Sequence, residues 1–138
     1  MLALSDIARL EELRQAQGVA SIADESRPFC GGIMGRTHPG GFINHAIGAG
    51  LSGAVEDAPN QVRGLISFFE ERGIEPRIEL SPYADASLVQ ALSAERFVVR
   101  LFECTFACEL SPHNPVRPVH PSPAGLGLSI IDPQNVAA

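Results

Sequence analysis

Hydrophobic and polar positions change period several times along the chain, and each change marks an element. Val62, Leu65, Ile66 and Phe69 fall at i, i+3, i+4 and i+7, the spacing of one buried helix face. Asp57 or Ala58 opens this helix with Pro59 in its first turn, and Gly73 closes it behind Arg72. Residues 77–80 then alternate charged and apolar, placing Ile78 and Leu80 on one face of a strand. Pro82 stops that strand, and Asp85 caps a helix whose apolar stripe is Leu88, Val89 and Leu92. From Phe97 the period becomes two. Phe102, Cys104, Phe106, Cys108 and Leu110 face one way, Glu103, Thr105 and Glu109 the other. Strand, helix and strand over 76–110 predict a βαβ unit with parallel strands and a right-handed crossover.

Upstream the signals are weaker. Ser5 is placed to cap a first helix carrying Ile7, Leu10 and Leu13, with Asp6 favouring its dipole, and Gly18 ends or kinks it. Residues 29–37 are glycine-rich but hold Phe29, Ile33 and Thr37, and read as a strand. A turn signal, His38-Pro39-Gly40-Gly41, leads into a second strand over 42–51, with Ile43, His45, Ile47, Ala49 and Leu51 on one face. The pair predicts an antiparallel hairpin weakened by its glycines. Residues 53–60 form an acidic connector. Beyond residue 110, the segment 111–123 contains five prolines and reads as an exposed, semi-rigid linker. Residues 126–131 could add a strand, with Asp132-Pro133 starting a helix. The expected class is α/β with a mixed sheet.

Composition narrows the function classes. At 138 residues, 45% apolar and 19% charged, the chain suits one soluble domain with a working core. A net charge of −6, with the arginines scattered, argues against nucleic acid or an anionic membrane as partner. No window approaches the roughly 20 apolar residues of a membrane span, and no signal-peptide pattern opens the chain. Three cysteines without scaffold spacing favour a reducing, cytoplasmic setting.

Candidate chemistry is sparse. Cys104 and Cys108, with His113 and His120 nearby, raise a metal site. Their predicted separation of about 13 Å along one strand is not a zinc knuckle, so small apolar core residues are the favoured reading. Cys30 and His45 could form a nucleophile–base pair across the hairpin, but no third group orients them, which favours a buried histidine bonded to backbone. Glu79 and Glu103, on the two strands of the central unit, could share a polar surface and act as a base or hold an amine. A solvated face, or pairing with Arg77 or Arg100, is the favoured alternative. Asn44 could orient a ligand or satisfy a local backbone group.

The order helix, hairpin, amphipathic helix, strand, helix, strand resembles the GNAT-superfamily N-acetyltransferases. More narrowly, four runs resemble the degenerate N-terminal half of bacterial tandem-GNAT proteins. They are 31–37 (Gly-Gly-Ile-Met-Gly-Arg-Thr), 44–48 (Asn-His-Ala-Ile-Gly), 68–73 (Phe-Phe-Glu-Glu-Arg-Gly) and 77–88 (Arg-Ile-Glu-Leu-Ser-Pro-Tyr-Ala-Asp-Ala-Ser-Leu). The resemblance divides the chain into a GNAT-like domain over 1–110, a linker over 111–125, and a segment over 126–138. Residues 128–137 are similar to the opening strand and helix start of a second GNAT domain; the alternative is a C-terminal arm.

Family members that use acetyl-CoA carry Arg/Gln-x-x-Gly-x-Gly/Ala before the amphipathic helix, whose amides hold the pyrophosphate. Here residues 51–62 take that place. Glu56 and Asp57 put negative charge there, and Pro59 removes an amide donor. Leu92 stands where many members have a catalytic tyrosine, and Arg96 where glycine is usual. The resemblance therefore implies a non-catalytic half that packs against a catalytic GNAT domain or a second chain, most simply as a homodimer. Acetyl-CoA would serve the complete family member and is not expected to bind this chain tightly. An acceptor cleft at the splayed parallel strands would be lined by Glu79, Tyr83 and Glu103, with Asn44 reaching in, and would suit a cationic amine. The alternatives are a self-sufficient acetyltransferase with an altered cofactor loop and a small-molecule binding or interaction module.

Overall fold

A computed structural model describes residues 2–108 together with His113, His120, Ala124 and Gly125. Its elements run α1 (Leu4–Ile22), β1 (Glu25–Phe29), β2 (Gly32–Arg36), β3 (His45–Ile47), α2 (Ala58–Glu70) and α3 (Ala86–Ala94). The strands form an antiparallel sheet in the order β1-β2-β3, and the fold is mixed α/β. The chain divides into two compact units, residues 1–107 and 108–138. The expected linker over 111–125 and strand over 126–131 lie outside the described residues, save for the isolated positions named above.

α2 forms as its spacing predicts. Val62, Leu65 and Phe69 are buried, Phe68 joins them, and Ile66 packs at the cluster's margin. Burying one such aromatic contributes about 2–3 kcal/mol, and Phe68 and Phe69 meet edge to face at 5.0 Å. Asp57 is the N-cap residue in a left-handed conformation, but its carboxylate accepts from Asn60 Nδ2 instead of a backbone amide. The helix ends in a Schellman turn. Ile74 N–H donates to Phe69 O and Gly73 N–H to Glu70 O, as the glycine's position foretells. Asp85 caps α3 through the Ser87 amide, also as expected.

The sheet is covered on both sides. Phe29, Met34 and Ala46 join the cluster formed with α2 and α3, whereas Ile33 and Ile47 pack with Ala16 and Val19 of α1. Alternation along β2 and β3 sends neighbouring residues to opposite layers. α1 can lie this close because Gly35 offers no Cβ; one there would stand 2.5 Å from Val19 Cγ1. Arg36 is buried with its guanidinium 4.1 Å above the Phe68 ring. It donates to Phe68 O, Glu25 and Glu71, so the buried charge is fully partnered.

Several expectations need correction. α1 begins at Leu4 behind Ala3, not with a Ser5 side-chain cap, and runs through Gly18 to Ile22. Its buried face carries Ala16 and Val19, while Leu10 and Leu13 are exposed. The strand expected over 29–37 is cut by a two-residue turn at Cys30 and Gly31, both with positive φ, which pairs β1 with β2. The second hairpin strand shortens to His45–Ile47.

The largest correction concerns 97–110. Residues 97–108 form no strand, so the βαβ unit placed over 76–110 does not close. Cys104 and Cys108 are exposed and are not core residues. β-propensity describes fit to a half-buried pleated surface, and none is offered here. The neighbouring segment contributes a single parallel bridge, Ala46↔Ile78, and contains Pro76, which lacks a ladder donor. The parallel crossover lies one element earlier, from β3 through α2 to Ile78.

Candidate functional site

β3 is the central element of the site, with β2 on one side and the 77–79 segment on the other. Ala46 N–H donates to Arg77 O at 2.9 Å and Glu79 N–H to Ala46 O at 2.8 Å. This bridge brings Glu79 beside His45, with Oε1 3.4 Å from Nε2. The opposite ring nitrogen, Nδ1, lies 3.3 Å from Phe42 O. From α1, Glu12 Oε2 accepts the Gly48 amide at 2.9 Å. Burial holds the Glu12 carboxyl above its ordinary pKa, and the nearby Glu79 and Glu11 charges add to this against the opposing Gly48 hydrogen bond. Glu79 and His45 thus meet at the start of β3, and Glu12 stands at its far end, beside Gly48. Sequence reasoning missed Glu12. The signal was its place four residues before Ala16 and seven before Val19, a glutamate on the helix's buried stripe.

The other candidates scatter. Asn44 is 3% exposed, and all its bonds go to the preceding turn. Its Oδ1 accepts from Thr37 N–H at 2.6 Å and from the Thr37 hydroxyl at 3.2 Å, and Nδ2 donates to His38 O at 2.9 Å. Asn44 satisfies local groups and holds residues 37–44 in shape. Tyr83 sits half-exposed in the turn before α3, its amide donating to Ser81 Oγ. Glu103 lies in the exposed segment after α3, and the strand pairing that would set it beside Glu79 is absent. Of the four, only Glu79 stands in the cluster at β3.

Cys30 is half-buried in its turn, and burial pushes its thiol up to about 11, the reverse of an activated nucleophile. Among the described residues, no group of three or more His, Cys, Asp and Glu side chains is placed to hold a metal ion. Among them, too, no helix is long and apolar enough to cross a membrane.

In the loop between β3 and α2, three amides are bonded internally. Gly48 N–H goes to Glu12, Gly50 N–H to Cys30 O at 2.8 Å, and Val55 N–H to Ser87 Oγ at 3.0 Å. At the helix start Pro59 has no donor, and the Asn60 and Gln61 amides both close on Asp57 O. Beside this loop an open groove of about 360 Å³ is lined by Phe29, Cys30, Gly31, Ser52, Glu56 and Gln61. Glu56 gives it a negative wall. An anion entering here meets the Glu56 carboxylate.

Comparison of the chain with protein-family models, curated proteins and solved structures finds no match.

Proposed function

We propose that the chain is the N-terminal, non-catalytic half of a GNAT-type N-acetyltransferase. It works by packing against a catalytic half or a second chain and by shaping the acceptor side of the cleft. The observation that carries this reading is the internal use of the Gly48, Gly50 and Val55 amides, with Glu56 and Asp57 at the mouth of the loop. A site that holds a pyrophosphate needs those donors free and the field positive.

Two further features support the GNAT-like part of the reading. The element order α1-β1-β2-β3-α2, then a parallel bridge at Ile78, then α3, follows the order that suggested the resemblance up to its closing strand, which does not form over 97–108. Arg96, which replaces the family's usual glycine, adopts φ 62, a conformation that favours glycine. Leu92, in the place of the usual tyrosine, is buried in the core and offers no acid to a leaving thiolate. Glu79, held by His45, is the carboxylate this half contributes toward an amine-bearing acceptor.

Titration calorimetry of the chain with acetyl-CoA at physiological salt tests the reading. Binding no tighter than about millimolar is expected, about −4 kcal/mol. Micromolar binding overturns it in favour of a self-sufficient enzyme.

A further inference from the structure

Two open hollows meet beside β1. One, of about 360 Å³, lies between the turn at Cys30 and the loop over 52–56, and the other, of about 330 Å³, lies between Arg27 and the first turns of α2. Phe29 and Gln61 line both, so the two open into one groove. Its base is apolar. Phe29 and Met34 are buried there, and Pro28 and Val55 add to the wall. Gly64 of α2 also borders it. Glycine inside a helix is costly relative to alanine, and no neighbour demands one here, since a Cβ at 64 meets nothing within 4 Å. What the missing side chain leaves is room in the groove.

The charge on the walls is negative. Glu56 borders the larger hollow and Asp57 the smaller. Among the described residues neither carboxylate is paired with a cation, and Asp57 accepts only from Asn60 Nδ2, at 2.6 Å. The cationic side chain on the groove, Arg27, is held by Glu25 at 2.7 Å.

We propose that this groove binds a small organic cation with an apolar body, its charged head at Glu56 and Asp57 and its body against Phe29 and Met34. Two features select that occupant. Hollows of this size with an apolar base suit a small molecule, and unneutralised carboxylates on the rim attract cations and repel anions. The proposal goes beyond the reading of the chain as an acetyltransferase half, because it uses neither the Glu79–His45 pair nor the bonded loop amides.

Three probes that share one body test it: 4-phenylbutylamine, 4-phenylbutanol and 4-phenylbutyrate, titrated into the ¹⁵N-labelled full chain and followed by amide shifts. The amine is expected to move the amides of Cys30, Gly31, Gly53, Gln61 and Gly64. It should bind about fivefold more tightly than the alcohol at low ionic strength, the gap closing in about 0.5 M salt, and the carboxylate should bind more weakly than the alcohol. Glu56→Gln with Asp57→Asn should bring the amine down to the alcohol's affinity. Asparagine tolerates the left-handed conformation at 57 and still accepts from Asn60, so the fold is spared. Asp6→Asn with Glu103→Gln removes as much charge elsewhere and should leave the preference intact. Gly64→Leu places a good helix former where nothing clashes, so it should weaken amine and alcohol alike while the thermal midpoint stays at or above the wild-type value. An amine no tighter than the alcohol, a preference that survives the Glu56→Gln, Asp57→Asn pair or vanishes with the distant pair, or amine binding unchanged in Gly64→Leu each overturns the proposal. A chain that shows the amine preference and also binds acetyl-CoA tightly overturns the acetyltransferase-half reading alone, so the two failures are separately visible.

Discussion

Replacing Asn44 with alanine separates a structural asparagine from a ligand-orienting one. The side chain is buried and bonded three times to the turn between β2 and β3, at 2.6, 3.2 and 2.9 Å. Truncation strands the Thr37 amide, at about 1–3 kcal/mol for an unsatisfied group with restricted access to water. The two remaining bonds contribute less, because the Thr37 hydroxyl can turn to solvent and His38 is exposed. A loss of about 2–3 kcal/mol is expected. At an m-value of about 1.5 kcal/mol/M, urea unfolding followed by far-ultraviolet circular dichroism should show a midpoint lower by about 1.3–2 M. Asn44→Asp keeps an acceptor for Thr37 but sets a carboxylate against His38 O, so it should fall between alanine and wild type. An alanine variant within about 0.5 kcal/mol of wild type would refute the structural role and return Asn44 to the candidates for ligand contact.

Two more outcomes follow from burial. Glu12 has its folded pKa raised by burial, so its charge costs stability above that pKa and the cost fades as pH falls through it toward the unfolded value. Glu12→Gln keeps an acceptor for Gly48 without the charge; its thermal midpoint should gain on wild type at pH 7 and lose that gain near pH 4, and the opposite trend would count against the assignment. Cys30, with its thiol pushed up to about 11, should resist iodoacetamide at pH 7.5 while exposed Cys104 is alkylated, as read by peptide mass spectrometry; equal labelling of the two in the folded chain would contradict its burial.

Helical periodicity was legible in α2, whose face is deeply buried, and misleading in α1, whose buried face is Ala16 and Val19 and not Leu10 and Leu13. Val62, Leu65 and Phe69 fix α2, and Asp85 and Gly73 mark a start and a stop through their own capping chemistry. The edge strand β1 was not, because Glu25, Ser26, Arg27 and Pro28 show the polar, proline-bearing composition an edge tolerates. Its turn is set by Cys30 and Gly31 instead of the usual Asn-Gly. Alternation misled at 97–108, where period-two patterning is a property of side chains and a strand also requires a free neighbouring edge. The candidate site suffered the same way. Glu79 was found because its bridge to β3 exists, Glu103 lost its place with the missing ladder, and Glu12 comes from an element 36 residues away from Gly48, a contact only folding reveals.

The most direct test follows the loop amides themselves. In ¹H–¹⁵N spectra, the resonances of Gly48, Gly50 and Val55 should hold their positions as acetyl-CoA rises to millimolar concentration, because Glu12, Cys30 O and Ser87 already accept from them. Shifts of these three amides that saturate in the micromolar range would contradict a non-catalytic half and show the loop opening to cradle a phosphate.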